Sequence, residues 1–295
     1  MNLVKSIFIS NYMMLEMAIA GYAGWMLYQD GSAIAWGGVM LTSAPLMMVI
    51  GWIMISKNVA RTSPHFPLLN FLGAVGVGLA IWGGYVEGAS IFAPALAIVG
   101  WVGFLLYVYW YSSYERQPSA RLRVGSALPN FTLKSSSGAA VTSAQLADKP
   151  TIWIFFRGNW CPLCMAQIKE LVKRYKEISA LGIRVALISP QPHSNTEALA
   201  DKFGVKFHFL TDEGNTAARA LGIEQTHGLP MGMQLMGYDS ETVLPTVIIT
   251  GKDGKVIWTH ETDNYRIRPE PDVFLEVLRH HRIIPATFNI EATCP

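Results

Sequence analysis

The chain has 295 residues, of which 51% are hydrophobic and only 15% charged, with a formal net charge of +2. An average soluble domain holds about 25% charged residues, so the whole chain is not an ordinary soluble protein. So small a net charge, with no basic cluster, also argues against a nucleic-acid partner.

The charge deficit is confined to residues 1–112, where Lys5, Glu16, Asp30, Lys57, Arg61 and Glu87 are the only Lys, Arg, Asp or Glu. Four apolar runs lie there, over about Ile7–Leu27, Ala33–Ile55, Leu68–Val86 and Ile91–Trp110, each near the roughly 20 residues that cross a bilayer. The third is rich in glycine (Gly73, Gly76, Gly78, Gly83 and Gly84), which favours close helix packing in lipid. The expected architecture is an all-α four-helix transmembrane bundle. Ala18-Ile19-Ala20 resembles a signal-peptide cleavage site. However, Asn11 and Glu16 interrupt the run before it and three further spans follow, so an anchor is expected. For Glu16 the expectation is a protonated or hydrogen-bonded carboxyl inside the bundle, near Asn11 or a neighbouring Ser or Tyr, although a charge in lipid also marks functional sites. Trp101, Tyr107, Tyr109, Trp110, Tyr111 and Tyr114 are expected to form an interfacial belt.

Lys5, Lys57, Arg61, Arg116, Arg121 and Arg123 fall at one set of span ends, and Asp30 and Glu87 at the other. By the excess of cations on cytoplasmic loops, both termini are expected in the cytoplasm. The chain is then an integral protein of a bacterial inner or plasma membrane.

Residues 113–125 form a polar juxtamembrane linker with arginines suited to anionic headgroups. Residues 126–286 form a second domain, followed by a tail over 287–295. A short strand is expected at Phe131–Leu133 and a short helix at Ser143–Leu146. Strands and helices then alternate: Thr151–Phe156 (strand), Cys161–Leu181 (helix), Arg184–Ser189 (strand), Asn195–Phe203 (helix capped by Asn195), Phe207–Leu210 (strand) and Asn215–Leu221 (helix). Val247–Thr250 and Val256–Thr259 flank a Gly251-Lys252-Asp253-Gly254 turn, and Asp272–His281 closes the domain as a helix. This alternation implies a mixed α/β sheet with helices on both faces.

The chemistry centres on Trp160-Cys161-Pro162-Leu163-Cys164, where a buried strand and Gly158 lead into a helix. A cysteine at a helix N-terminus meets unpaired N–H groups and the positive end of the dipole, which stabilise its thiolate. Cysteines at i and i+3 share one face of the first turn, where a disulfide forms and breaks. Cys161 is the expected nucleophile and Cys164 the expected resolving thiol. Arg157 is expected either to raise the thiolate fraction or to form a strand-edge salt bridge. Leu244-Pro245-Thr246 precedes a strand, and a cis bond at Pro245 facing the cysteines would leave room for a substrate chain beside Leu244 and Thr246. A zinc site needs a second ligand pair, whereas His193, His208, His227 and His260 are scattered singly. Neither metal nor cofactor is expected.

The segment Phe156-Arg157-Gly158-Asn159-Trp160-Cys161-Pro162-Leu163-Cys164 resembles the active-site segment of the peroxiredoxin-like branch of the alkyl hydroperoxide reductase / thiol-specific antioxidant family. So do Ala186-Leu187-Ile188-Ser189-Pro190-Gln191, Leu210-Thr211-Asp212-Glu213-Gly214-Asn215, Leu244-Pro245-Thr246 and the stretch Asp263-Asn264-Tyr265-Arg266 with Arg268-Pro269-Glu270-Pro271. The resemblance spans residues 126–282 and implies a thioredoxin fold with thiol-dependent redox activity. Peroxidases of that superfamily typically carry Pro seven residues and Thr or Ser three residues before the reactive Cys, positions held here by Ile154 and Gly158. Their active-site Arg usually lies where this chain has Leu244-Pro245, which leaves Arg157, Arg266 or Arg268 as substitutes.

Two stretches stand apart. Gln225–Ser240 is an apolar insertion, expected to be a lid or a surface resting on the membrane domain. A softer alternative is a Cu(I) site from Met231, Met233 and Met236 with His227. Cys294 near the C-terminus is either an inert thiol or a second resolving cysteine. The expected function is a membrane-anchored thiol–disulfide oxidoreductase, partnered by a protein thiol or disulfide or by a thioredoxin- or glutathione-type reductant. The alternatives are a thiol peroxidase with Cys161 as the attacked thiol, and a copper-handling or redox-sensing module that regulates a membrane partner.

Overall fold

A computed structural model describes residues 2–29 and 31–285; Cys294 and Asp30 lie outside them. Four long helices come first: α1 (Asn2–Tyr28), α2 (Ala33–Ser56), α3 (Pro67–Val86) and α4 (Phe92–Leu105). With the π-helical turn Leu106–Tyr111 that extends α4, all four are long and apolar enough to cross a membrane. The glycines of α3 divide by face. Gly76 and Gly83 press onto the α2 backbone, where a side chain would collide with Gly38 and Ala35, while Gly78 and Gly84 meet open space. The small residues thus set the α2–α3 distance, as close packing requires.

The C-terminal domain contains β1 (Thr132–Ser135), β2 (Ala140–Thr142), β3 (Thr151–Phe155), α5 (Pro162–Lys173), α6 (Tyr175–Ala180), β4 (Arg184–Ser189) and α7 (His193–Phe203). It continues with β5 (His208–Thr211), α8 (Thr216–Leu221), β6 (Glu224–Gln225), β7 (Thr242–Val243), β8 (Thr246–Thr250), β9 (Val256–Glu261) and α9 (Pro271–His280). Seven strands form one mixed sheet in the order β2-β1-β5-β4-β3-β8-β9, and β6 pairs with β7 separately. β3, β4 and β5 run parallel, whereas β8 and β9 are antiparallel to their neighbours. This is a thioredoxin-like fold.

β3 is central and buried along its whole length. Its side chains alternate between two cores. Ile152 and Ile154 face α5, α7 and α9, while Trp153 and Phe155 face Phe131, Leu221 and Ile248. The first of these cores also takes in Cys161, Cys164 and Ile53 of α2, so it runs without a break into the helical bundle.

Two expectations need correcting. The helix expected over Cys161–Leu181 breaks at Arg174 (φ −96°, ψ 11°) into α5 and α6. Arg174 instead uses its guanidinium to bind Glu177 and Asp272. Asn195 does not cap α7, which starts at His193; its side-chain amide donates to the Tyr238 hydroxyl at 3.1 Å.

Candidate functional site at the bundle interface

Cys161 is the N-cap residue of α5 and Pro162 occupies the first helical position, where a missing N–H is harmless. Cys164 lies one turn in. Both thiols are free and buried. The loop that delivers them is pinned from both sides. Asn159 N donates to Gln191 Oε1 at 2.8 Å, and the Tyr238 hydroxyl donates to Asn159 Oδ1. Gly158 has φ +146° with the Trp160 indole packed against it, so a side chain at this position would be strained and obstructed. That accounts for glycine where peroxidases of the superfamily carry Thr or Ser. Ile154 has an equally local reason: it pairs with Leu187 on one side and Val247 on the other, and proline in a central strand would remove a ladder hydrogen bond.

The nearest cation to the thiols is Arg268. Its Nη2 is 3.3 Å from Cys164 Sγ and 3.9 Å from Cys161 Sγ, and its Nη1 donates to Gln167 Oε1 at 3.2 Å. The Cys164 thiol donates to Cys161, and this, with Arg268 and then Arg157, outweighs burial and lowers the Cys161 pKa to about 6. Cys164 moves the opposite way, because burial and the neighbouring Cys161 charge raise it well above the usual thiol range. The pair is therefore split into a thiolate and a thiol, the asymmetry that one-sided nucleophilic attack requires.

Arg157 is buried and forms no salt bridge among the described residues. Its guanidinium stacks over Trp160 at 4.7 Å and near Tyr265 at 5.8 Å, and it donates to the Gly228 carbonyl. Of the two expectations for it, the strand-edge ion pair is absent among the described residues, while its charge acts on Cys161.

The Pro245 side departs from expectation. No peptide bond among the described residues is cis, so the bond into Pro245 is trans. Arg116 occupies this flank, donating to the Pro245 carbonyl at 3.3 Å and to Thr246 Oγ1 at 3.0 Å, and it pairs with Glu261 at 2.7 Å. Leu244, Pro245 and Thr246 do not border the cavity beside Cys161. Two arginines expected to be free for lipid headgroups are instead engaged. Arg116 is paired inside the domain, and Arg121 donates to the Ala220 carbonyl at the end of α8.

The remaining flank is built by the bundle. The loop between α2 and α3 grips the stretch that carries Arg268. Arg61 donates to the Arg268 carbonyl at 3.1 Å and pairs with Glu170 and Glu270. Arg266 reaches the Ser63 carbonyl at 2.6 Å, the Pro64 carbonyl at 2.8 Å and Ser112 Oγ at 2.9 Å. Part of the expected aromatic belt turns inward. The Tyr107 hydroxyl bonds the Tyr265 hydroxyl at 2.8 Å, Tyr111 borders the cavity beside Cys161, and Tyr114 is packed near Arg157. The insertion 225–240 rests on α1, as expected: Ser10 Oγ donates to the Met231 carbonyl at 3.0 Å and Ser6 Oγ to the Leu229 carbonyl. Met233 and Met236 share a surface groove with Trp160 and Met165. Glu16 is fully buried inside the bundle next to Tyr12, one of the kinds of neighbour expected for it.

Residues 124–259 match the family model described as the AhpC/TSA family. The chain is 30% identical to the chloroplastic peroxiredoxin Q of Populus jackii over 112 residues, which cover 38% of this chain and 53% of that protein. It is 23% identical to the thiol-disulfide oxidoreductase ResA of Halalkalibacterium halodurans over 166 residues, covering 56% of this chain and 83% of that one. The chain spans about half the length of the peroxiredoxin Q proteins of Populus jackii, Triticum aestivum and Gentiana triflora that it matches. The family match begins after the bundle, so the helices that wall the thiols lie outside it.

Proposed function

We propose that the chain is a membrane-anchored thiol–disulfide oxidoreductase that cycles Cys161 and Cys164 between dithiol and disulfide. Cys161 is the nucleophile and Cys164 resolves the mixed disulfide. Arg268 and Arg157 hold the thiolate, and Trp160 screens it. The observation that carries this reading is the position of one guanidinium, Arg268, beside both sulfurs at 3.3 and 3.9 Å. It favours negative charge on the pair while burial keeps Cys164 protonated until it is called on. The relatives named for thiol redox chemistry support the same class of activity.

The C-terminal domain faces the cytoplasm, with the bundle as its anchor, because Lys5, Lys57 and Arg61 lie at the bundle end where that domain packs. The chain divides near residues 112 and 125, since the last long helix stops at Tyr111 and the family match starts at 124. A soluble thioredoxin- or glutathione-type thiol is the proposed reductant. Peroxide reduction is the second reading. It is favoured by the peroxiredoxin Q relatives and opposed by Ile154 and Gly158, which stand where the superfamily's peroxidases place their helpers.

The test is Cys164→Ser in the full chain. A stable mixed disulfide through Cys161 with an offered disulfide is the expected result. No adduct, together with rapid hydroperoxide consumption, would replace this reading with the second.

A further inference from the structure

The cavity bordered by Cys161 has a volume of about 190 Å3. Cys164 does not border it. Ile9 and Met13 of α1 with Val49, Ile50 and Ile53 of α2 form its far wall, and exposed Met54 stands at its edge. Arg157 and Trp160 border it together with Cys161, and Thr62, Tyr111 and Arg266 also contribute to its lining. Arg157 Nε and Trp160 Nε1 are buried donors with no hydrogen-bond partner among the described residues. The Tyr265 hydroxyl beside them is already paired with Tyr107.

We propose that this cavity binds the ring of a membrane-dissolved quinone, which accepts the two electrons released when Cys161 and Cys164 form their disulfide. The proposal rests on the dithiol reading above and names its oxidant. Size is the first argument. A dry cavity of about 150 Å3 admits a benzene ring, so this one holds a single substituted ring but not a peptide loop. The second is the wall, which consists of apolar side chains from helices fit to lie in a bilayer, so the ligand enters from the lipid side. The third is hydrogen bonding. Two unpaired donors call for a ligand that offers acceptors, and quinone carbonyls only accept.

The chemistry balances. The Cys161 thiolate adds to a ring carbon, and an electron pair moves onto a carbonyl oxygen held by Arg157 and Trp160. Cys164 loses its proton and attacks Cys161 Sγ, so the S–S bond forms as the C–S bond breaks and its electron pair returns to the ring. One proton comes from Cys164 and one from solvent, replacing the proton already lost by Cys161. The products are the disulfide and the hydroquinone.

The experiment uses the full chain in lipid nanodiscs, reduced and under argon, with decylubiquinone as the probe and its ultraviolet absorbance as the readout. One quinone consumed per disulfide formed is expected. Ile50→Trp and Met13→Trp, which fill the cavity from different helices, should each slow the reaction roughly tenfold or more, equivalent to about 1.4 kcal/mol. Retained thiolate absorbance in each variant reports that the site is folded. Equal rates in the native chain and in both folded variants would overturn the site. If dithiodipyridine forms the disulfide but quinone is untouched, the inference fails and the dithiol reading stands. If neither oxidant forms the disulfide, the dithiol reading fails with it. Consumption of a fatty-acid hydroperoxide in place of quinone would also overturn the proposal.

Discussion

Toward Pro245 the site is polar and closed. Arg116 fills that flank, tied to the Pro245 carbonyl, to Thr246 and to Glu261, and both members of the ion pair are buried. Toward α2 it is apolar and hollow, with Cys161 at the end of a cavity walled by Ile50 and Ile53. The same thiol pair thus has one flank sealed by charge and another left open by side-chain shape. Where a thioredoxin-like domain commonly meets an extended substrate, this chain has placed its own linker. The helical bundle lines the hollow flank instead.

Breaking the closed flank should have the largest effect. Arg116→Ala leaves Glu261 buried without its partner, a loss of about 3–5 kcal/mol for such pairs. A marked fall in the thermal unfolding midpoint of the detergent-solubilised chain is expected, and an unchanged midpoint would mean that the flank is not sealed by this pair. Next comes the clamp between the halves. Arg266→Met strands the Ser63 and Pro64 carbonyls and should cost roughly 3 kcal/mol. The expected signature is faster protease cleavage within residues 57–66 while α5 stays protected.

The smallest effect concerns the thiolate itself. With Cys161 near pKa 6, its thiolate is present above that pH and is lost as pH falls through it. Alkylation should therefore rise through about pH 6 and level off. In Arg268→Met the midpoint moves upward by roughly one pKa unit, so the rate at pH 7 drops only about twofold while the rate at pH 5 drops about tenfold. A profile that does not move would assign the depression to Cys164, Arg157 and the helix end without Arg268.

Much of this was legible in the chain itself. The four apolar runs became four helices with ends within a few residues of those expected, because hydropathy over 20 residues is a strong local signal. The Cys161-x-x-Cys164 pair at the end of a buried strand was equally local, and so was the turn chemistry around Gly251–Gly254. What sequence could not supply was long-range. Arg268 lies 107 residues from Cys161, and only its place in a family-like stretch pointed to it. Tyr107 and Tyr111 have the composition of a membrane belt, and only the π-helical turn and the docked Tyr265 make them part of the site. The trans bond at Pro245 and the filling of that flank by Arg116 likewise follow from where the linker folds back. The helix break at Arg174 reflects a choice between continuing a helix and binding Asp272 from α9, a residue 98 positions away.

The most direct test of the account is which side of the thiol pair is open. In a Cys294→Ser background at pH 7, the chain in lipid nanodiscs is treated with a lipophilic maleimide and, separately, with a charged, water-soluble one, and modification of Cys161 is timed by mass spectrometry. The account predicts faster modification by the lipophilic reagent, with Ile50→Trp removing the difference. Faster modification by the charged reagent would contradict it, because the open face would then be toward water.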